Sequence, residues 1–259
     1  MKLYIMTDLE GATGVVGHWD IIDPPGAEYL ASRRLLTGDV NAAIEGASEA
    51  GANEILVHDA HGESRVHGIL IEQMDARARL IRGKSIYELE GLDETYDAMF
   101  IIAAHSMAGT AKGVLSHTES DSIVNMWING RRVGEIGIFA AMAGHFKVPT
   151  VLVTGDLAAT KEAKDLITNV ETVSVKEGRS RFSAICLPPD VTRRMIRETA
   201  VKALGEIDEI KPYTFEPPIT VRIEYQDALA ADRQAERKDR KRIDGRTIEY
   251  SAENIISIF

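Results

Sequence analysis

The sequence predicts an α/β protein, with a mostly parallel, twisted sheet covered by helices on both faces and a smaller C-terminal α/β lobe. Three observations lead there. Short apolar runs alternate with segments of helical periodicity, the order that βαβ crossovers produce. Several of those runs stop at an acid, a histidine or a glycine-rich turn. Near residue 170 the pattern changes, and prolines begin to punctuate the chain.

Taken in order, Leu3–Met6 is a short apolar run ending at Asp8, and it reads as a buried strand. GATG follows as a turn, and Pro24-Pro25-Gly26 marks a loop. Thr37 is the expected N-cap of a helix over 38–50, with Val40, Ala43, Ile44 and Ala47 on one face and Gly51 as its stop. Ile55–Val57 is the second strand and leads into His58-Asp59-Ala60-His61-Gly62. A further strand covers Arg79–Ile81. Ala98–Ala104 is the strongest apolar run, and it ends at His105. Ile123–Ile128 and Arg131–Val133, joined by Asn129-Gly130, form a hairpin, because Asn-Gly accepts the positive φ angles of a tight turn. Gly134–Phe146 reads as a helix with Glu135 in its first turn. Val148–Thr154 is a strand closed by Gly155-Asp156, and a helix over 158–167 follows.

Beyond that point come a strand at Ala184–Leu187, a helix from Asp190 to Leu204 with Val191, Met195, Thr199 and Ala203 on its apolar face, and a strand at Ile219–Tyr225. Thr247–Tyr250 is a last strand before a short helix capped by Ser251. The expected division is a catalytic lobe over 1–170 and a smaller lobe over 171–259, with a soft boundary that allows a single fold.

Composition narrows the function. The chain has 259 residues and a net charge of -10, so no global cationic surface is offered to nucleic acid. The densest basic stretch, DRQAERKDRKR, is interleaved with acids and reads as a solvated helix face. No apolar run approaches the roughly 20 residues that span a bilayer, and the N-terminus lacks the regions of a signal peptide, so a cytoplasmic location is expected. Cys186 is the only cysteine, which excludes an internal disulfide and thiolate metal ligation. GATG and GRS do not match a serine nucleophile elbow, no phosphate-binding loop signature occurs, and Cys186 has no evident activating partner.

Five side chains that bind metals fall where this topology would gather them: Asp8 and Glu10 in TDLEG, His61 in HDAHG, His105 in AAHSM and Glu135 in RRVGEIG. Open parallel sheets bind ligands at the carboxyl ends of their strands. Asp8, His61 and His105 each follow a predicted strand there. Asp8 and Glu10 are two apart, so an extended backbone turns both to one face. Glu135 opens a helix, a position that an acid also occupies simply to complement the helix dipole. The set is nitrogen and oxygen without sulfur, and it suits zinc, manganese, iron or cobalt. Five ligands are too many for one open catalytic ion but fit two ions sharing an aspartate. Such a pair activates a bridging water and polarises a carbonyl. His117 in GVLSHT is left free for chemistry. Asp59 is the candidate to orient a ligand histidine, with Glu63 a weaker one, and His58 a neighbour of the site. His18, His67 and His145 read as surface or core residues. Trp19, Trp127 and Phe259 are apolar positions that suggest interfaces.

The MKLYIMTDLEG opening, the HDAHG loop, AAHSM, GVLSHT, WINGRRVGEIGIFAAMAG and VPTVLVTGD, in that order, resemble the M55 family of metallopeptidases. The resemblance runs in register to about residue 185 and more weakly beyond, with one extra residue between His105 and His117. It implies two zinc ions on Asp8, Glu10, His61, His105 and Glu135, and a catalytic role for His117. It implies release of N-terminal residues from short peptides, with a preference for D-amino acids as in D-Ala-D-Ala. It also implies a homo-oligomeric ring, a decamer of two stacked pentamers. Three other readings share these residues: another dinuclear hydrolase acting on an L-peptide, cyclic amide or phosphoester, a ring-forming scaffold without activity, and a metal-free binding module.

Overall fold

The computed structural model describes every residue except 23–25, 62–66, 84, 86, 87 and 259. The Pro24-Pro25 loop, Glu63 and Phe259 therefore lie outside the described residues. Strand β1 (Lys2–Thr7) is followed by α1 (Ala27–Glu49), β2 (Glu54–Asp59), β3 (Ala78–Ile81) and β4 (Ala98–Ala104). Then come β5 (Ile123–Ile128), β6 (Arg131–Arg132), α2 (Glu135–His145), β7 (Thr150–Asp156) and α3 (Leu157–Leu166). The chain continues through β8 (Glu171–Ser180), β9 (Ser183–Cys186), α4 (Pro189–Gly205), β10 (Ile219–Tyr225), α5 (Ala228–Ala235), β11 (Lys241–Arg242) and β12 (Thr247–Ala252).

Seven strands form one sheet in the order β3-β2-β1-β4-β7-β8-β9. All neighbours in it are parallel except the β8–β9 pair. Strands covered on both faces carry continuous apolar sequence. In keeping with this, every residue of β4 and of β7 is buried. Helices α1 and α4 pack together, as do α2 and α3, and both α3 and α4 lie against β7 and β8, which places the two pairs on opposite faces of the sheet. From β1 the chain proceeds towards one edge through β2 and β3, and from β4 towards the other through β7 and β8. The order thus reverses between β1 and β4, and parallel sheets open a crevice at such a point.

A second, antiparallel sheet has the order β11-β12-β10-β5-β6. The Asn129-Gly130 hairpin forms as expected, with φ of 50° and 79°. Its strand β5 pairs with β10 across nearly 100 residues of sequence. Strands β8 and β9, from beyond residue 170, sit in the first sheet, and β5 and β6, from before it, sit in the second. Each sheet thus draws on both sides of that position. The charged segment after Asp227 begins as α5, whose Ala231 is buried against the second sheet while Asp232 and Arg233 are exposed.

Several local expectations give way to tertiary contacts. Helix α1 starts at Ala27, so Thr37 is no cap; its hydroxyl donates to the Arg33 carbonyl (2.8 Å) and accepts from the Leu70 N–H (3.0 Å). A threonine with a partner for its hydroxyl is tolerated inside a helix. The stripe of Val40, Ala43, Ile44 and Ala47 is buried, and Gly51 with φ 95° ends the helix as expected. In α4 the buried face is Thr192, Ile196, Ala200, Ala203 and Leu204, displaced by one position from the expected set except at Ala203. Thr192 belongs inside because its hydroxyl meets that of Thr13 at 2.8 Å. Ser251 lies in β12; the closing 3-10 turn is held instead by Asn254 Oδ1, which accepts from the N–H groups of Ile256 and Ser257. Strand β8 was not anticipated, since VETVSVKEGRS offers little apolar run, yet it pairs in register with β7.

Candidate metal centre

The crevice between β1 and β4 is built by a close approach of backbones. Asp8 N–H donates to the Ile102 carbonyl (3.0 Å) and Gly11 N–H to that of Ala103 (2.8 Å). A Cβ on Gly11 would lie 2.0 Å from the Ala104 carbonyl oxygen, so only glycine lets the loop after β1 settle on the end of β4. Ala103 itself has φ 66°, a conformation that costs of order 1 kcal/mol without glycine. Its N–H is held by the Thr154 hydroxyl at 2.9 Å. This bend interrupts the β4–β7 register just before His105.

Five residues named from the sequence converge here. Asp8 follows β1, His61 follows β2, His105 follows β4, and Glu135 begins α2. Asp8 uses its two oxygens in two directions. Oδ1 lies 3.2 Å from His61 Nδ1, and Oδ2 lies 3.3 Å from His105 Nε2. Glu10 Oε2 is 3.1 Å from His61 Nδ1, and Glu135 Oε2 is 3.3 Å from His105 Nε2. The result is two clusters, Asp8–Glu10–His61 and His105–His117–Glu135, each with ligand atoms within 4.8 Å of one another. Asp8 stands between them.

The far sides of both imidazoles meet backbone carbonyls. His61 Nε2 is 3.3 Å from the Ile22 oxygen, and His105 Nδ1 is 3.0 Å from the Ser106 oxygen. A ring N–H donating to a carbonyl turns the other nitrogen's lone pair inward, as ligand histidines require. His105 Nε2 is buried with no hydrogen-bond partner. A buried nitrogen in that state is available to a ligand such as a metal ion. The donor set of two imidazoles and three carboxylates fits a pair of divalent ions of the zinc, manganese or cobalt type.

Protonation tells the same story without an ion. Burial, reinforced by Glu10, pushes Asp8 up to about 7. Burial also works against ionised Glu10 and Glu135. The imidazolium of His61 nonetheless holds Glu10 well below the usual range, and that of His105 holds Glu135 at about 2. Both histidines, despite burial, are raised well above 6.5 by those carboxylates. Each imidazolium and its carboxylate thus favour one another's charged form.

His117 lies over this cluster. Its ring stacks on His105 at 3.9 Å, and its Nδ1 meets the Leu115 carbonyl at 2.9 Å, which leaves Nε2 facing Glu135 Oε1 at 3.8 Å. Burial, then His105, lowers its pKa. Glu135 Oε1 also accepts from the Glu119 N–H (2.7 Å), which fixes its rotamer. A cleft of about 330 Å³ opens beside His117, lined by Ser116, Asp121, Arg181 and Gln226 among others. A larger cavity, about 500 Å³, shares Thr110 with this cleft but contains none of the six site residues.

Other residues named from the sequence stand elsewhere. The Asp59 carboxylate accepts from the N–H groups of Gly68 (2.9 Å) and Ile69 (3.0 Å), so it shapes the chain after His61 rather than orienting an imidazole. His58 points to the Ser85 hydroxyl (2.9 Å) and packs on Tyr4. Trp19 stands edge-on to His117 at 5.6 Å and belongs to the site. Two residues were missed. Lys176, fully buried on β8, donates to the carbonyls of Glu10 (2.6 Å), Ala12 (2.8 Å) and Val15 (2.6 Å). It thereby clamps the loop that carries Asp8 and Glu10. Glu162 on α3 accepts from the Met107 N–H at 2.7 Å and ties down the chain after His105. Nothing local in KEGR or KEAK marks either one.

Fold and site together define a mostly parallel α/β protein with two clusters of candidate metal ligands at its switch point. The family model for M55 peptidases, described as D-aminopeptidase, matches residues 1–259, and the chain belongs to that family. It is 37% identical over 220 residues to the D-aminopeptidase of Bacillus subtilis (strain 168), covering 84% of this chain and 78% of that one. A solved structure, described as the Zn-dependent D-aminopeptidase DppA from Bacillus subtilis, a self-compartmentalizing protease, superposes with a TM-score of 0.94 at 32% identity. That match covers 99% of this chain and 93% of the other. No helix among the described residues is long and apolar enough to cross a membrane.

Proposed function

We propose that this chain is a dinuclear metal-dependent aminopeptidase that releases N-terminal D-amino acids from short peptides such as D-Ala-D-Ala. The observation that supports this most is the split carboxylate of Asp8, with one oxygen towards Glu10 and His61 and the other towards His105 and Glu135. Two zinc ions are the proposed occupants, the first held by Asp8, Glu10 and His61 and the second by Asp8, His105 and Glu135. When bound, such a pair supplies an activated water and a Lewis acid for the scissile carbonyl.

The chain's own groups supply the rest. The free amino terminus of the substrate would lie at the carboxylates of the two clusters, Asp8, Glu10 and Glu135. His117, its Nδ1 proton engaged by Leu115, presents Nε2 to the reacting carbonyl, takes up there a proton released by the attacking water and passes it to the departing amine. Trp19 and the buried walls exclude bulk water from the rings. The D preference rests on the relatives' description, and the description of DppA as self-compartmentalizing supports an assembly, for which we propose a homo-oligomeric ring, a decamer of two pentamers. A panel of D- and L-dipeptides with p-nitrophenyl phosphate, each assayed with zinc and with chelator, tests the reading. Turnover of D-dipeptides that the chelator abolishes is expected. Preferential phosphoester hydrolysis, or peptide turnover indifferent to chelation, would overturn it. Light scattering that measures ten chains per particle is expected for the assembly.

A further inference from the structure

The cleft beside His117 contains a cation that the chemistry above leaves unused. Arg181 occupies the two-residue turn between β8 and β9 and lines the same cavity of about 330 Å³. It is tied to the catalytic loop twice. The Leu115 N–H donates to the Arg181 carbonyl (2.8 Å), and Arg181 Nη2 donates to the carbonyl of Ser116 (3.0 Å), the residue before His117. The guanidinium lies over the Trp19 ring at 4.9 Å and the Phe182 ring at 5.5 Å. Trp19 is the same ring that stands against His117. Asp121 Oδ1 accepts from Nη2 at 2.6 Å. Both of these bonds use Nη2, so the Nη1 protons are unengaged among the described residues, and the side chain is 40% exposed. The group is charged, stacked, fixed in orientation and open to the cleft.

We infer that Arg181 receives the C-terminal carboxylate of the peptide, and so selects short substrates with a free carboxylate over capped ones. This rests on the aminopeptidase reading above. With the amino terminus at the metal centre and the scissile carbonyl beside His117, the second residue must extend into this cleft. A dipeptide spans about 7 Å from end to end, so its carboxylate cannot travel far from His117. Held in plane by two aromatic rings, with Nη2 engaged and Nε buried, the guanidinium offers its Nη1 protons to a carboxylate as a charge-assisted hydrogen bond. Asp121 shares the same cation and keeps its charge balanced until substrate arrives.

The test compares kcat/KM for D-Ala-D-Ala with that for D-Ala-D-Ala amide, which has the same scissile bond and no carboxylate. The wild-type holoenzyme should prefer the free acid. Arg181→Gln should lower the acid-to-amide ratio roughly 10- to 100-fold, through KM for the acid, the effect of losing a hydrogen-bonded charge pair. Arg181→Lys keeps the charge but not the planar group stacked on Trp19 and Phe182, and it should fall between. A ratio within a unit design resists misfolding, since less active protein lowers both rates alike. If Arg181→Gln lowered both rates equally and left the ratio unchanged, the residue would serve only to hold Ser116 and the His117 loop. Wild-type protein that hydrolysed neither peptide would instead remove the aminopeptidase reading, and this inference with it.

Discussion

Replacing Lys176 by methionine should loosen the loop that carries Asp8 and Glu10. The ammonium is fully buried and makes three hydrogen bonds, to the carbonyls of Glu10, Ala12 and Val15. Methionine fills similar volume but donates nothing. Each carbonyl left unpaired in the interior costs roughly 1–3 kcal/mol. Against that stands relief from burying a charge. Burial lowers Lys176 from 10.5 to about 8, a penalty of roughly 3 kcal/mol. The net loss is about 3 kcal/mol, or roughly 6–12 °C in Tm for a domain of this size. The melting temperature should be measured on chelated protein, so that bound metal does not mask the change. Metal affinity, titrated separately, should fall roughly 10- to 100-fold, as it does when groups that orient ligands are removed. A Tm within 2 °C of wild type together with unchanged metal affinity would show that the three bonds do not hold the loop.

Two further outcomes are expected. His117→Ala should lower turnover by roughly 10²- to 10⁴-fold, the usual worth of a positioned proton donor, while the protein still binds two metal ions by elemental analysis; near-normal rates would remove His117 from the chemistry. Chelated protein should be more stable at pH 5 than at pH 7. Asp8 is raised from 3.8 to about 7 and Glu162 from 4.5 to about 7 in the folded state, each chiefly by burial, so both keep protons that the unfolded chain has released. The folded state then binds more protons across that window, and stability falls as pH rises through it. Asp39, raised by burial to about 6, and His61 and His105, raised well above 6.5, act in the same direction. Glu10 and Glu135, lowered, act oppositely only below about 4.5, and His58, His67 and His117, lowered chiefly by burial, act oppositely below 6.5 through smaller shifts. A Tm that rose from pH 5 to 7 without metal would contradict the charge arrangement.

Much of the candidate site was legible because its candidate ligands sit where parallel strands end. Asp8 and His105 directly follow apolar runs, and Glu135 opens a helix announced by an Asn-Gly hairpin. Lys176 and Glu162 were not legible, since each acts on backbone atoms 55 or more positions away. The reach of α1 was cut short because Thr37 looks like a cap, and only the Leu70 N–H shows why that hydroxyl can lie inside a helix. Strand β8 escaped because its residues alternate in burial and carry charge, and pairing to β7 decides the matter.

The local order of residues therefore determined the strand ends, the chemical identity of the five candidate ligands and the alternation that makes a parallel sheet. The tertiary structure decided which oxygens face which imidazoles, the bend at Ala103, the buried lysine under the loop and the pairing of β5 with β10. Periodicity and turn chemistry act over a few residues and are written along the chain. Distances of 3 Å between groups 50 to 160 residues apart depend on how the elements pack, and no short stretch of sequence records that.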